Sequence, residues 1–480
     1  MSIRHKRLFH TPSTISGLLL IMLALAQCPS TAETLATKKG IAPITRTWDT
    51  ETTVDMPYPR SDFGADFRLR LVHLGYAEDL GLGFADDSDR QFLRIRSRGW
   101  ASYNYSPVFS AYVRLNNEST TYIGCDHYKS SVGEVIFENL FIEVKHPFGL
   151  PVGARLGRQD LFYGDGFVIS DGTPLDGART TYVNGVLLTW VVPSWSFDAF
   201  VVWNREKEEY LPRINNKYTR LIEFNEMATG LVFRRLLDSA SAKDYMLEHY
   251  YIFKEEKGRY KLSTIHTLGT RLGFPLSRLR FTAELAYQAG HSPQYKFAQV
   301  EPGFIGRQTI LAYGVEGRIS THVDWPLPAD LFAGYLHLSG DDPITQVEYE
   351  GWNPILARWP NWSELYPYTL GIEADLHPQG QGFAFWQNIR STFGGLVITP
   401  DPRMSLEARF MKLGASQHIA TIRVDEGPKD RGFLLFLKVA WKPTPRLFGH
   451  LLYESFFPGN IYVDEARNAS FVRLQLGTSL

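Results

Sequence analysis

The stretch Phe67-Arg68-Leu69-Arg70-Leu71 alternates apolar and charged residues with a period of two. Successive side chains of a β-strand point to opposite faces of the sheet, so this order places phenylalanine and leucine on one face and arginine on the other. The stretch therefore predicts a strand that has one face in an apolar medium and the other face in water.

The same alternation recurs along most of the chain. Its copies are residues 93–98, with Arg94, Arg96 and Arg98 on the polar face; 111–116; 279–288; 368–376, with Glu373 and Asp375 on the polar face; and 405–410, with Glu407 and Arg409 on the polar face. Segments of about 9–11 residues with aromatic residues near their ends are typical of tilted strands that span a membrane. A soluble β-sandwich also alternates, and the extent of the pattern here favours the membrane barrel.

The chain ends in a further alternating segment. Residues 472–476 place valine and leucine on one face and Arg473 and Gln475 on the other, and the segment continues to the last residue, Leu480. Outer-membrane barrels commonly end in such a strand, although their last residue is usually phenylalanine. We expect this strand to pair with the first strand and to turn Val472, Leu474 and Leu476 towards lipid.

The N-terminus has the order of a secretion signal. Basic residues between Arg4 and Arg7 precede an apolar run at Ile15–Ala26 and the small residues Ser30–Ala32. The apolar run is short of the ~20 residues that a helix needs to span a bilayer, which disfavours the alternative of a membrane anchor. We expect cleavage after Ala32.

Composition fits this organisation and excludes one class of partner. Only 2 of 480 residues are cysteine, 14% are aromatic, and 50 basic residues balance 51 acidic ones. This balance gives no support for nucleic-acid binding, which needs a basic excess. We predict a signal peptide at 1–32, a flexible lead-in at 33–60 and a single antiparallel transmembrane β-barrel at 61–480, with longer external loops at 207–220 and 341–364.

Motifs of enzymes and metal sites are lacking in the sequence. It contains no Gly-x-Ser-x-Gly, no His-Glu-x-x-His and no phosphate-binding Gly-x-x-x-x-Gly-Lys motif. The acidic stretches 86–89 and 341–342 are more typical of solvated loops than of calcium sites. We expect no enzyme, no metal and no cofactor, with a barrel-borne hydrolase and a structural or adhesive barrel as the alternatives.

Arginine dominates the polar faces of the first strands. The six arginines predicted to line the pore are Arg68, Arg70, Arg94, Arg96, Arg98 and Arg114, and the only acid counted beside them is Asp66. Each guanidinium offers planar donors that match a carboxylate, so such a lining would favour anionic solutes. The alternative is that these arginines pair with acids of neighbouring strands and brace the wall.

Further candidates lie later in the chain. Arg158 or Arg155, together with Arg179 and Arg271, extends the predicted pore lining, and Glu284, Glu316, Glu373 and Glu407 are expected to be their bracing partners. The glycine-rich loop 162–173 carries Asp165 and Asp171, and it is either a constriction that folds into the pore or an ordinary turn.

Several phrases, in order, resemble the alginate export family of outer-membrane porins. They are Gly157–Leu161, Tyr163–Gly166, Asp176–Thr180, His266–Gly273, Glu284–Gly290, Ser339–Asp342, Asn353-Pro354, Glu454–Gly459 and Phe471–Arg473. The resemblance extends from about Phe63 to the C-terminus. It implies one antiparallel barrel of about 18 strands, and it makes an alginate-like polysaccharide a candidate solute without fixing it.

These observations together predict a passive pore. We expect a bacterial outer-membrane porin for a polar, anionic solute or polysaccharide. Its expected partners are outer-membrane lipid, the solute itself and periplasmic export components.

Overall fold

The structure is a computed structural model that describes most of the barrel region. The described residues are 58–77, 80, 89–124, 131–171, 182–214, 225–235, 245–257, 262–296, 303–324, 326–342, 345, 347–357, 360–370, 387–418, 429–462 and 466–480. The predicted signal peptide, nearly all of the predicted lead-in, Arg179, Glu373 and Asp375 lie outside them.

Six of the seven predicted alternating segments lie in strands, and the described residues contain 21 strands. They are β1 (Arg60–Gly75), β2 (Arg90–Asn104), β3 (Phe109–Tyr122), β4 (Ser131–Lys145), β5 (Val152–Gln159), β6 (Leu161–Phe162), β7 (Ser170–Asp171), β8 (Val183–Val192), β9 (Trp195–Asn204), β10 (Asn225–Arg235), β11 (Met246–Lys257), β12 (Leu262–Leu276), β13 (Leu279–Lys296), β14 (Gly303–Asp324), β15 (Pro328–Leu338), β16 (Glu348–Tyr349), β17 (Ile389–Asp401), β18 (Met404–Gly414), β19 (Asp430–Trp441), β20 (Leu447–Pro458) and β21 (Ala469–Ser479).

Eighteen of these strands close into one antiparallel barrel. The main sheet has nineteen strands, of which one is the two-residue β16, and the hairpin of β6 and β7 forms a separate small sheet. Each wall strand pairs with the next one along the chain, so that β5 pairs with β8 and β15 pairs with β17. The closing strand β21 pairs with β1, where Leu474 lies opposite Leu71 and Gln475 lies opposite Arg70. The predicted fold, strand number and closure are confirmed.

The two faces of the wall have opposite polarity. In β1, Arg68 and Arg70 are 2% and 0% exposed on the inner side, whereas Phe67 and Leu71 are 42% and 47% exposed on the outer side. Apolar side chains outside and charged side chains inside are the pattern of a barrel that stands in lipid. Among the described residues, no helix has the length and hydropathy needed to cross a bilayer.

The two ends of the barrel differ in the length of their connections. At one end the strands are joined by short turns such as residues 193–194, 277–278 and 402–403, and both ends of the strand series lie there. At the other end the connections include residues 160–182 and 339–388. Short turns are periplasmic and long loops are external in outer-membrane barrels.

Two of the long connections meet each other inside the barrel. We call residues 160–171, which contain β6 and β7, the inner hairpin, and the described residues from Ser339 to Leu370 the inner strap. Ile169 forms a β-bridge with Leu356, and the rings of Phe167 and Trp352 lie 5.2 Å apart. The strap begins at a segment that the sequence predicted as an external loop, and it runs into the lumen instead.

In the inner strap, a strand prediction differs from the structure over residues 368–370, the part of the predicted segment that the structure describes. Residues 368–376 were expected to form a strand, but Tyr366–Leu370 is a short 3-10 helix. Pro367 has no N–H to give to a ladder and its fixed φ suits the first turn of a helix. Residues 368–370 therefore do not form a strand, although the side chains of this segment alternate in polarity.

Candidate functional site: an arginine wall in the lumen

The six arginines predicted to line the pore all lie on the inner side of neighbouring strands. Strand register places Arg68 directly opposite Arg96 and Arg70 directly opposite Arg94. Like charges in directly opposite positions repel each other, so this arrangement requires carboxylates nearby. Their location decides how much positive charge faces the lumen.

Carboxylates of four elements reach the arginines. Asp66 lies 3.3 Å from Arg96; Glu118 lies 3.5 Å from Arg68 and 3.4 Å from Arg94; Glu138 lies 2.8 Å from Arg98 and also contacts Arg114; and Asp160 lies 3.0 Å from Arg114. Asp66 and Glu118 belong to β1 and β3, Glu138 to β4, and Asp160 to the start of the inner hairpin.

The expectation that Asp66 is the only acid beside these arginines is therefore wrong. Glu118 shares the inner face of β3 with Arg114, as its even spacing from Arg114 indicates, and the sequence reading overlooked it. Glu138 could not be placed by alternation, because a register shift opposite Arg114 and Leu115 inserts an extra residue in β4. The bulge buries both Glu138 and Asn139.

The closing strand adds a seventh arginine. Arg473 lies 3.1 Å from Glu364 of the inner strap and donates to Nε2 of His450 at 3.0 Å. Beside it, Arg70 donates to Oε1 of Gln475 at 2.7 Å. We call these seven residues the arginine wall: Arg68, Arg70, Arg94, Arg96, Arg98, Arg114 and Arg473.

The arginine wall retains a positive excess. Within the part of the chain that the structure describes, the ion pairs of these seven guanidinium groups involve five carboxylates, those of Asp66, Glu118, Glu138, Asp160 and Glu364, which leaves an excess of two in this set. Arg68 and Arg70 are buried behind their neighbours, whereas the side chains of Arg94, Arg96 and Arg114 are 17%, 10% and 16% exposed. A solute in the lumen would meet these last three.

The inner hairpin contacts the wall opposite the arginines. Asp165 forms an ion pair of 2.7 Å with Arg271, which also lies 3.7 Å from Glu284, and Tyr163 donates to Asp198 at 3.0 Å. Burial, followed by the nearby Asp198 carboxylate, raises the pKa of Tyr163 well above its usual value, so this hydroxyl stays a donor. Glu284 has the expected bracing contact with Arg271 of the neighbouring strand, whereas Glu407 pairs with Arg409 of its own strand at 2.5 Å. Asp171 pairs with Leu161 in the hairpin.

The inner strap is fixed to two distant parts of the wall. On β13, Gln288 donates to the carbonyl of Asn353 at 2.7 Å and accepts from its N–H at 2.9 Å. On β20, Glu454 accepts hydrogen bonds from the N–H groups of Glu364 and Leu365, at 2.9 and 3.3 Å. Five wall strands lie between β13 and β20, namely β14, β15, β17, β18 and β19. The strap therefore passes through the lumen from one part of the wall to another.

Arg158 has a different role from the arginine wall. Its guanidinium contacts Glu208 at 2.6 Å, lies 3.9 Å from the centre of the Tyr182 ring and donates to the carbonyl of Phe137 at 2.9 Å. Burial alone would raise the pKa of Glu208, but the hydrogen bonds from Arg158 and Tyr182 outweigh it and lower the pKa. Arg158 thus ties the segment that follows β9 to the wall.

The acidic stretch at Asp341 and Asp342 forms a hydrogen-bonded turn. Asp341 accepts from the N–H of Glu350 at 3.1 Å, and Glu350 accepts from the N–H of Asp342 at 3.2 Å and from Thr345. Burial raises the pKa of Asp341 to about 7. No group of three or more His, Cys, Asp or Glu side chains suited to a metal ion occurs in the part of the chain that the structure describes.

Comparison with known proteins agrees with this geometry. The sequence profile described as alginate export matches residues 60–374. No curated protein matches the chain. Solved structures with the same fold include Acinetobacter baumannii OccAB1 (11% identity, TM-score 0.56, 88% of this chain and 96% of that chain) and a BenF-like porin from Pseudomonas fluorescens Pf-5 (9%, 0.55, 88% and 98%). A third is Pseudomonas aeruginosa OccK2 (OpdF), with 11% identity, a TM-score of 0.53 and coverage of 88% and 97%.

These relatives are outer-membrane porins, and the barrel with its apolar outer face agrees with that location. Because the profile covers well over half of the 480 residues, the chain belongs to the alginate export family of outer-membrane channels.

Proposed function

We propose that the protein is a passive channel that prefers anionic, carboxylate-bearing solutes, with an alginate-like polysaccharide among the candidates. The observation that carries the proposal is the excess of two positive charges on the arginine wall. Acids of the wall, the inner hairpin and the inner strap already occupy part of at least six of the seven guanidinium groups. A solute carboxylate would take the place of such an acid at one arginine after another. Passage by exchange of partners keeps binding weak enough for release.

Two solved structures of the same fold suggest the first probes. OccK2 (OpdF) was crystallised in complex with glucuronate and OpdK with vanillate, and both molecules are carboxylates. At 11% and 9% identity these structures share only the fold with this chain, so their ligands serve here as probes for the experiment.

The remaining parts of the proposal concern how the channel is made and fed. We infer that residues 1–32 are removed on secretion, so that the mature chain starts near Glu33. The short-turn end of the barrel would receive a polysaccharide from periplasmic export components, and the channel performs no chemistry on it.

The experiment is a measurement of ion selectivity. The variant Arg94→Gln with Arg96→Gln removes two charges from the exposed part of the arginine wall, which is as many as the excess. In planar bilayers with a salt gradient, we expect the reversal potential to move towards cations. The movement should shrink as salt rises, because the Debye length falls below its physiological value of ~8 Å.

The matched control is Arg390→Gln, which removes one arginine from the outer face of β17, opposite His337. It should leave the reversal potential unchanged. An unchanged reversal potential in the double variant at low salt would mean that the arginines only brace the wall, and the proposal would fail. Arg114 is unsuited to this test, because it holds Asp160 and thereby the start of the inner hairpin.

A further inference from the structure

Three aromatic side chains form a continuous row on the inner face of the barrel. Trp100 of β2, Tyr112 of β3 and Phe141 of β4 are neighbours across adjacent strands. Their ring centres are 6.2 Å apart for the first pair and 5.2 Å apart for the second, and their planes differ by 22° and 23°. We call these three residues the aromatic row. All three are half-buried, so part of each ring remains open to the lumen.

The backbone around the row is adapted to keep it there. Gly64 of β1 lies directly opposite Trp100, and a Cβ atom at Gly64 would come within 2.7 Å of the indole ring. The indole therefore lies against the bare backbone of β1, which only glycine permits at this distance. At the other end, the guanidinium of Arg155 lies 4.6 Å from the centre of the Phe141 ring and is held by Glu143 at 2.6 Å.

The row lies next to the exposed edge of the arginine wall. Arg98 and Arg114 are each two residues from the aromatic residue of their own strand, Trp100 and Tyr112, and they share its face. Two residues along a strand correspond to about 6.6 Å. This is close to the width of one sugar ring, so a solute ring on the aromatic row could direct a carboxylate to Arg114, whose side chain is 16% exposed.

Aromatic faces and cations together select a particular solute chemistry. The face of an aromatic ring carries partial negative charge and attracts the weakly positive C–H groups of a flat, apolar surface. A pyranose ring presents such a surface with its axial C–H bonds, whereas an open carboxylate chain does not. The arginine wall would thus recognise the charge of a solute, and the aromatic row would recognise the shape of its ring.

We propose that the aromatic row is a binding site for the face of a six-membered sugar ring that carries a carboxylate, alone or within a polysaccharide. This inference rests on the proposed function and adds to it a separate site for the sugar ring, on residues other than the arginines. Stacking on the row slows each ring as its carboxylate changes partners on the arginines, and it distinguishes hexuronates from other anions of equal charge.

The test compares two blockers of equal charge in single-channel recordings. One is a uronate hexasaccharide and the other is hexaglutamate with both termini blocked, which has six side-chain carboxylates and no sugar ring. In the variant Trp100→Leu, we expect the residence time of the hexasaccharide to fall about three- to tenfold, the range given by loss of one aromatic contact. The residence time of hexaglutamate should stay the same.

Two further variants separate the ring from its surroundings. Tyr112→Phe keeps the ring and should retain the residence time of the hexasaccharide, whereas Tyr112→Leu should shorten it. Tyr103→Leu, on the outer face of β2 where Tyr103 is 45% exposed, is the matched control and should have no effect. Correct folding of each variant is checked by its heat-dependent mobility on gels.

The outcomes also separate this inference from the proposed function. Unchanged hexasaccharide block in Trp100→Leu and Tyr112→Leu, or an equal fall for both blockers, would overturn the role of the aromatic row. The reversal potential of the unaltered channel measures anion preference independently of the aromatic row, because the side chains of Trp100 and Tyr112 carry no charge. If that preference is absent while the hexasaccharide still depends on Trp100, the proposed selectivity fails and the ring site stands.

Discussion

A single buried carboxylate holds two arginines of the arginine wall together. Glu138 is 0% exposed, and its two oxygens contact Arg98 and Arg114. Burying a charge is costly unless partners satisfy it, and here the acid and the two bases satisfy one another. The same carboxylate also brings Arg114 to Asp160, so the position of the inner hairpin depends on this residue.

We therefore predict that Glu138→Gln destabilises the barrel by about 3–5 kcal/mol, the range for breaking a buried ion pair. The loss leaves two guanidinium groups facing each other with weaker compensation. Urea unfolding in lipid vesicles, followed by tryptophan fluorescence, measures the free energy of unfolding. Asp62→Asn is the control, because Asp62 pairs with Arg60 in an exposed position and such pairs contribute about 0–1 kcal/mol. Equal losses in the two variants would contradict the role of Glu138.

At the scale of the element, alternation decides what each strand tolerates. In β21, Leu474 belongs to the outer set with the exposed Leu476, and Gln475 belongs to the inner set with Arg473. The alternation in the sequence predicted this orientation correctly. It could not show that Gln475 accepts a hydrogen bond from Arg70, because that contact joins residues 405 positions apart.

The two faces of β21 should respond oppositely to an added charge. Leu474→Arg places a cation in lipid and should cost ~2–4 kcal/mol if the position is near the midplane. Gln475→Glu places an anion beside Arg70 and should leave the free energy of unfolding unchanged or raise it. Arginine at 475 would be a poor comparison, since it would remove the acceptor of Arg70. Equal penalties for the two variants would mean that the assignment of faces is wrong.

The turn at the start of the inner strap should depend on pH. Burial raises the pKa of Asp341 to about 7, above its value in an unfolded chain, so the folded turn favours the protonated acid. The stability of the turn is then greatest below pH ~4 and declines as the pH rises through about 7. At pH 8.5, hydrogen exchange of residues 347–357 should be faster in the unaltered protein than in Asp341→Asn. At pH 5.5, the exchange rates of the two proteins should differ less. A difference that is the same at both pH values would contradict this assignment.

At the scale of the whole molecule, periodic features were predictable and the filling of the lumen was not. A period of two follows from local geometry, and it indicated the wall strands, their faces and the closing strand from the sequence alone. The inner hairpin and the inner strap have no such period. Their positions depend on contacts such as Gln288 with Asn353 and Glu454 with Leu365, which join residues 65 and 89 positions apart.

The acids beside the arginines illustrate the same limit. Glu118 was within reach of the sequence, because it shares the parity of Arg114. Glu138 and Asp160 were not, since a bulge moves the first and the inner hairpin carries the second. The arginines of the wall were therefore predictable from the sequence, but the number of acids that pair with them required the structure.

The inner strap gives the last prediction, because it crosses the lumen between two anchors. The variant Asn353→Ala with Ser363→Ala changes both ends: it removes the Asn353 amide that reaches Glu256 on β11, at 3.4 Å, and the Ser363 hydroxyl that contacts Glu454 on β20. Backbone hydrogen bonds to Gln288 and Glu454 remain, so the strap should loosen without being lost. In either single variant, one intact anchor still keeps the strap across the lumen. Single-channel conductance should therefore rise more and fluctuate more in the double variant than in either single variant. Hydrogen exchange of residues 347–357 should become faster in parallel. If conductance stays at the value of the unaltered channel while exchange becomes faster, the strap does not restrict the pore.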